Sequence, residues 1–261
     1  MPENTFAYQH RDVMNQSTGR TKQERYADLV RERREYDPSP WELVNPSQVA
    51  DGEYDVPHMG PWTGWAHDLD ADLMVVGQDW RDVEYFVTNR GCDNPRNPTN
   101  AALQKLLLSI GRPIPAPPSH GGPGDSTVER EEASRATCGV WLTNALLWLK
   151  TGGLSAKVDS AWFGEPSMLL LKAQVDLVQP RVIVALGEQA YDCLLKAYGL
   201  PPRRGPFKDA VERNTGVEFA LGGQAVMILA VYHCGARIQN TLRPLDRQLQ
   251  DWERVQAALR A

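Results

Sequence analysis

From Asp72 onward the chain repeats one texture: short apolar runs, often β-branched, alternate with longer stretches whose apolar positions recur at three- and four-residue steps. Short runs of this kind suit strands buried on both faces, and the longer stretches suit helices that cover them, so the pattern is that of βα units around a parallel sheet. Four buried strands are predicted, at Leu73 to Val76, Val140 to Thr143, Val182 to Leu186 and Val226 to Val231. Helices are predicted at Thr99 to Ile110, Pro166 to Val178, Glu188 to Tyr198 and Thr241 to about Leu259. In the last of these, Leu242, Leu245, Leu249, Trp252, Val255 and Leu259 share one face and read as core. The expected fold class is α/β: a three-layer α/β/α arrangement around a central four-stranded, mainly parallel sheet.

A chain of 261 residues suits one large α/β domain, or a core with a small appendage. The division expected is an N-terminal extension, residues 1–70, and an α/β domain over 71–261. The extension is polar and rich in Pro and Trp. It carries one helical stretch near Lys22 to Glu35, then turn signals at Asp37-Pro38-Ser39-Pro40 and Asn45-Pro46. Basic residues between Arg20 and Arg34 interleave with Glu24, Asp28, Glu32 and Glu35, the pattern of a solvated mixed-charge helix. Gly111 to Asp125 is too rich in Pro and Gly for regular structure and reads as a long surface loop. Trp62, Trp65, Trp141 and Trp148 read as packing residues.

The net charge of −5 argues against a protein that coats nucleic acid by charge alone, although a local basic face is compatible with it. The four cysteines, Cys92, Cys138, Cys193 and Cys234, are widely spaced, with no CxxC pair, so reduced thiols are expected and no metal is predicted. No apolar run approaches the roughly 20 residues a membrane span needs, and the first residues lack the apolar stretch of a signal peptide. A soluble, cytoplasmic monomer with no membrane partner is expected.

In an open parallel sheet, ligands sit beyond the carboxyl ends of the strands. The segments there are Gly77-Gln78-Asp79-Trp80, Asn144-Ala145-Leu146, Gly187-Glu188-Gln189-Ala190 and Tyr232-His233-Cys234-Gly235-Ala236-Arg237. Three of the four deliver a polar side chain from an apolar strand. Asp79, Asn144 and His233 therefore converge on one crevice.

In that order the segments resemble the uracil-DNA glycosylase superfamily over about residues 72 to 259. Gly77-Gln78-Asp79 is similar to the start of the water-activating motif of the first family, Gly-Gln-Asp-Pro-Tyr-His. Gly139 to Lys157 resembles the strand and loop that present a base-reading Asn. RVIVALGEQA is similar to the third strand and its Gly-x-x-Ala helix start, and YHCGAR stands where the family has His-Pro-Ser-Pro-Leu/Arg. Two departures mark this chain. Trp80-Arg81-Asp82 replaces Pro-Tyr-His, and Cys-Gly-Ala-Arg follows the His, with Arg237 at the wedge position as in the single-strand-selective monofunctional family. The tight cysteine pair of the iron–sulfur families is lacking, so the resemblance implies no cofactor.

The resemblance implies a monofunctional glycosylase of base-excision repair that acts on DNA carrying uracil or another deaminated base. Asp79 and His233 are then the catalytic pair. The carboxylate holds water and stabilises the sugar cation, and the imidazole donates to uracil O2 as charge builds there. Gln78, Arg81 and Asn144 face the base, whose O4 and N3–H an amide can match. Phe86 is the candidate for stacking, with Tyr85 as the alternative. Thr99 and Asn100 grip phosphate at a helix start, and Arg237 wedges into DNA. Each has an ordinary structural alternative: a turn cap for Asp79, a core histidine for His233, loop bonding for Asn144, plain packing for Phe86 and an N-cap for Thr99 and Asn100. Two other readings are a DNA-binding protein of the same fold with weak or no excision, and a Rossmann-type enzyme acting on free nucleosides. The lack of GxGxxG or GxxxxGK[ST] after any strand weighs against the second.

Overall fold

A computed structural model describes residues 19–94, 96–117, 132–153, 158–213 and 216–261. In chain order its main elements are α1 (Lys22–Glu35), β1 (Leu43–Val44), α2 (Pro61–Trp65), β2 (Leu73–Gly77), α3 (Val83–Thr88) and α4 (Pro98–Ser109). After them come β3 (Val140–Asn144), β4 (Leu149–Lys150), α5 (Glu165–Val178), β5 (Val182–Leu186), α6 (Glu188–Ala197) and α7 (Phe207–Arg213). The chain closes with β6 (Val217–Leu221), β7 (Gln224–Val231), α8 (Ala236–Thr241) and α9 (Leu245–Arg260).

The main sheet runs β3-β2-β5-β7-β6, with β3, β2, β5 and β7 parallel and β6 antiparallel at the edge. The four predicted strands are therefore present. The fifth, β6, alternates exposed and half-buried residues instead of forming an apolar run, as an edge strand with one wet face does. A hairpin joins it to β7 through Gly222-Gly223, both at positive φ, the backbone a tight two-residue turn demands. That Gly-Gly pair between two strand-like runs was the available signal.

One core cluster, with Trp141, Leu170, Ile183 and Leu194, lies on the sheet face covered by α1, α5 and α6. A second, with Phe86, Leu103, Val184 and Trp252, lies on the face covered by α4 and α9. Three layers result. The C-terminal helix differs from expectation: α8 ends at Thr241 and α9 begins only after Pro244, whose ring removes the amide donor a continuous helix would need. Leu242 falls in the break and is 62% exposed, while Trp252 and Val255 are buried as expected.

The mixed-charge helix is also less solvated than its pattern suggests. Arg33 is fully buried in α1, and its guanidinium donates to Asp55 Oδ1 at 2.7 Å and to the carbonyls of Val56 and His58. Helical periodicity cannot reveal this partner, because Asp55 comes from a stretch without regular structure. The segment before residue 71 also pairs with the loop beyond β3, since β1 and β4 form a small antiparallel sheet with Leu43 opposite Lys150. Gly111 to Pro117 carries no helix or strand; the rest of the predicted loop, Gly121 to Gly124 and Lys157 lie outside the described residues. Among the described residues, no helix is long and apolar enough to cross a membrane.

Candidate active site

The parallel register aligns Gly77 with Asn144 and Leu186 with Val231, so the chain leaves β2, β3, β5 and β7 along a common edge. Beyond it a cavity of about 190 Å³ is lined by Trp62, Asp79, Trp80, Arg81, Asp93, Asn97, Thr99, Asn100, Lys150 and His233. Five of the predicted site residues thus share one wall: Asp79, Arg81, Thr99, Asn100 and His233. A larger groove of about 620 Å³ runs along α6, but Arg203 on its rim is already ion-paired to Glu188 and Asp192, and no strand end opens into it.

Asp79 is held from both sides. Gln78 Nε2 donates to its Oδ1 at 3.1 Å, and Lys150 Nζ lies 2.5 Å from its Oδ2. Gln78 therefore acts on the carboxylate without itself lining the cavity. Lys150 is 7% exposed and ends β4, whose pairing with β1 fixes it in place. Sequence reading missed it because its position depends on a two-residue strand pairing with the N-terminal segment.

His233 follows β7. Its Nδ1 accepts a 3.0 Å hydrogen bond from the Gly235 amide, which leaves the proton of the neutral ring on Nε2. Burial lowers its pKa, opposed by Asp79 and reinforced by Arg81, so the neutral ring is favoured. A neutral Nε2–H donor facing a cavity is suited to an oxygen on which negative charge develops.

The start of α4 closes a third side. Asn97 caps it by accepting from the Thr99 amide at 3.1 Å, and Asn97, Thr99 and Asn100 all reach the cavity. Cys234 Sγ approaches the Thr99 carbonyl at 3.5 Å, tying this helix end to the His233 loop.

Asn144 is buried at the end of β3, and its Oδ1 has no hydrogen-bond partner. It shares with Trp62 the space above Gly77, where a Cβ would lie 2.3 Å from Asn144 Oδ1 and 2.7 Å from Trp62 Cζ3. Glycine is what lets both side chains sit there. On the cavity wall, Trp80 Nε1 and Asn100 Oδ1 are likewise buried without partners. The two on the wall are placed to bond a polar group entering the cavity, which Asn144 does not itself line.

Phe86 does not reach the cavity: it is fully buried in α3, edge-on to Trp80 at 5.0 Å between centroids. The rings on the wall are Trp80 and Trp62, the latter giving its Nε1–H to Asp93 at 3.0 Å. Tyr85 stays outside, bonded to Asp93 and covered by the Arg81 guanidinium 4.3 Å above its ring. Arg81 has φ of 103°, a strained conformation for a residue with a side chain. Arg237 is exposed in the first turn of α8, four residues after His233, and does not line the cavity.

A parallel sheet that brings a carboxylate, a neutral imidazole and a helix start to one cavity at its strand ends is built as an α/β enzyme site. The chain belongs to the Uracil DNA glycosylase superfamily, whose family model matches residues 65–258. With that membership goes a glycosylase-type hydrolase role in DNA base-excision repair. No curated protein sequence matches the chain.

Proposed function

We propose that the protein hydrolyses the N-glycosidic bond between deoxyribose and uracil, or a related deaminated base, in DNA. The observation that carries this reading is that Asp79 and the neutral His233 reach the same cavity from β2 and β7. As the bond breaks, positive charge builds on the sugar and negative charge on the base. A carboxylate serves the first and the Nε2–H donor the second, each stronger in the transition state than with bound substrate.

Asn144 supplies an amide for the base edge, and Trp80 or Trp62 supplies the ring that Phe86 does not. The start of α4 receives a phosphate through the Thr99 hydroxyl and the positive end of the helix. Arg237, exposed beside the site, enters the duplex where the nucleotide has left. Lys150 holds the Asp79 carboxylate in the free protein. Bound DNA offers the ammonium a phosphate as a second partner, which frees the carboxylate to face the sugar.

Incubation with oligonucleotides carrying uracil, hypoxanthine or xanthine, followed by alkaline cleavage of abasic sites, tests the proposal. Strand breaks at the deaminated base are expected, and none at a normal base. A second reading, a DNA-binding member of the family with little excision, is favoured by the ion pair that already neutralises Asp79. It predicts tight binding to abasic product, no base release by the wild type, and a gain of release in Lys150→Met.

A further inference from the structure

A second cluster of chemically competent side chains lies away from the cavity. His67 pairs with Trp141 near the start of β3, whereas Asp79 follows the far end of the adjacent strand β2. Around His67 stand His58, from the stretch before α2, and Glu132, from the chain that leads into β3. One ligand atom from each, both imidazoles and the carboxylate, lies within 4.8 Å of the others.

The hydrogen bonds around His67 leave a conflict. Its Nδ1 is 3.2 Å from the Thr63 carbonyl, which can only accept, so the proton of a neutral ring belongs on Nδ1. Its Nε2 then carries a bare lone pair, yet it faces Glu132 Oε1 at 3.1 Å. Lone pair and carboxylate repel unless a cation sits between them.

His58 adds a second imidazole. Its Nδ1 meets the Tyr26 hydroxyl, which can accept from it or donate to it, at 3.1 Å, and its Nε2 lies 3.8 Å from the same Glu132 oxygen. The two rings lie 4.5 Å apart, and His58 is seated against Gly64, where a Cβ would come 3.1 Å from its Cδ2. Arg135 faces the other carboxylate oxygen, Oε2, at 3.9 Å. Oε1 is left to the histidines.

We propose that His58 Nε2, His67 Nε2 and Glu132 Oε1 bind one borderline transition-metal dication, best matched by Zn²⁺, with a fourth tetrahedral position open to water. Two imidazoles and a carboxylate, each imidazole oriented through its other nitrogen, are the donors such an ion selects. Bond lengths of about 2.0–2.2 Å put tetrahedral donors about 3.3 Å apart. Glu132 Oε1 already lies 3.1 and 3.8 Å from the two nitrogens, and binding draws the histidine pair, within 4.8 Å, toward that spacing. Bound there, the ion clamps the stretch before α2 to the approach to β3.

The test uses the untagged full-length chain, stripped of metal with a chelator, and does not depend on glycosylase activity. Titration with Zn²⁺ is expected to show one site per chain by calorimetry. Co²⁺ is expected to give the visible bands of a tetrahedral complex. Melting temperature should rise by roughly 5–10 °C at a hundredfold excess of Zn²⁺ over Kd. Glu132→Gln, half exposed and safe for folding, and His58→Gln should each weaken Zn²⁺ at least a hundredfold, and Tyr26→Phe about tenfold. Absence of saturable binding, or binding unchanged in Glu132→Gln and His58→Gln, overturns the site.

Discussion

The carboxyl edge of the parallel sheet and the N-terminal segment meet at Asp79, and they are built by different physics. Along the edge, β2, buried throughout, and β7, buried at Val226, Ile228, Leu229 and Val231, fix where Asp79 and His233 emerge, and ordinary apolar burial does the positioning. In residues 19–70 apolar contacts of Tyr26, Leu29, Trp62 and Trp65 are supplemented by polar links between stretches with little regular structure. Arg33 bonds Asp55 and two carbonyls, Asn45 gives its amide to the carbonyls of Arg33, Arg34 and Tyr36, and β1 holds Lys150. An apolar scaffold tolerates exchange among similar side chains, whereas a buried polar network fails when one member is lost. The Asp79 carboxylate belongs to both.

The sharpest way to break this comparison is to remove one member of the polar region. Arg33→Ala leaves Asp55 buried with only Arg34 as its ion-pair partner and leaves a void in place of a fully buried side chain, and a cost of about 3 kcal/mol is expected. Chemical denaturation measures it. A loss below about 1 kcal/mol would show that the segment is stabilised by its apolar contacts instead.

On the sheet side, Gly77→Ala drives a methyl into Asn144 and Trp62, with an expected cost of about 1–3 kcal/mol. Base release should fall further than stability alone explains, because both displaced side chains belong to the proposed base-binding site. Wild-type release from a destabilised Gly77→Ala protein would remove Asn144 and Trp62 from the site.

A smaller effect concerns pH. Burial lowers the pKa of His233, so the unfolded chain takes up a proton near pH 6.5 that the folded chain resists. The contribution of His233 to stability is present above pH 6.5 and lost as pH falls toward its lowered pKa, by at most about 1.4 kcal/mol per pH unit. Melting curves of wild type and His233→Gln should therefore converge as pH falls below 6.5. A constant difference would mean that the ring titrates normally.

The same division explains what the sequence revealed. Strand runs and the residues just after them were legible because apolar burial writes itself as composition and order, and Asp79 and His233 came with them, whereas Arg81, Thr99 and Asn100 came from the family resemblance. Lys150 and Arg33 were not legible, since each depends on a partner brought from a distant stretch by short, irregular pairing. Phe86 was assigned to the base from its place after the motif. One turn of α3 instead directs it into the core, against Trp80. The edge strand β6 was hidden by its alternation, which breaks the apolar-run rule that found the other four.

The central claim is that Asp79 and His233 act together on the two charges of one breaking bond. Single-turnover release of uracil from a duplex, measured beside the affinity for that duplex, tests it most directly for wild type, Asp79→Asn and His233→Gln. Each variant is expected to lose on the order of 10²–10³-fold in rate while binding within a few-fold of wild type. Affinity falling in step with rate, or a rate unchanged in either variant, would contradict it.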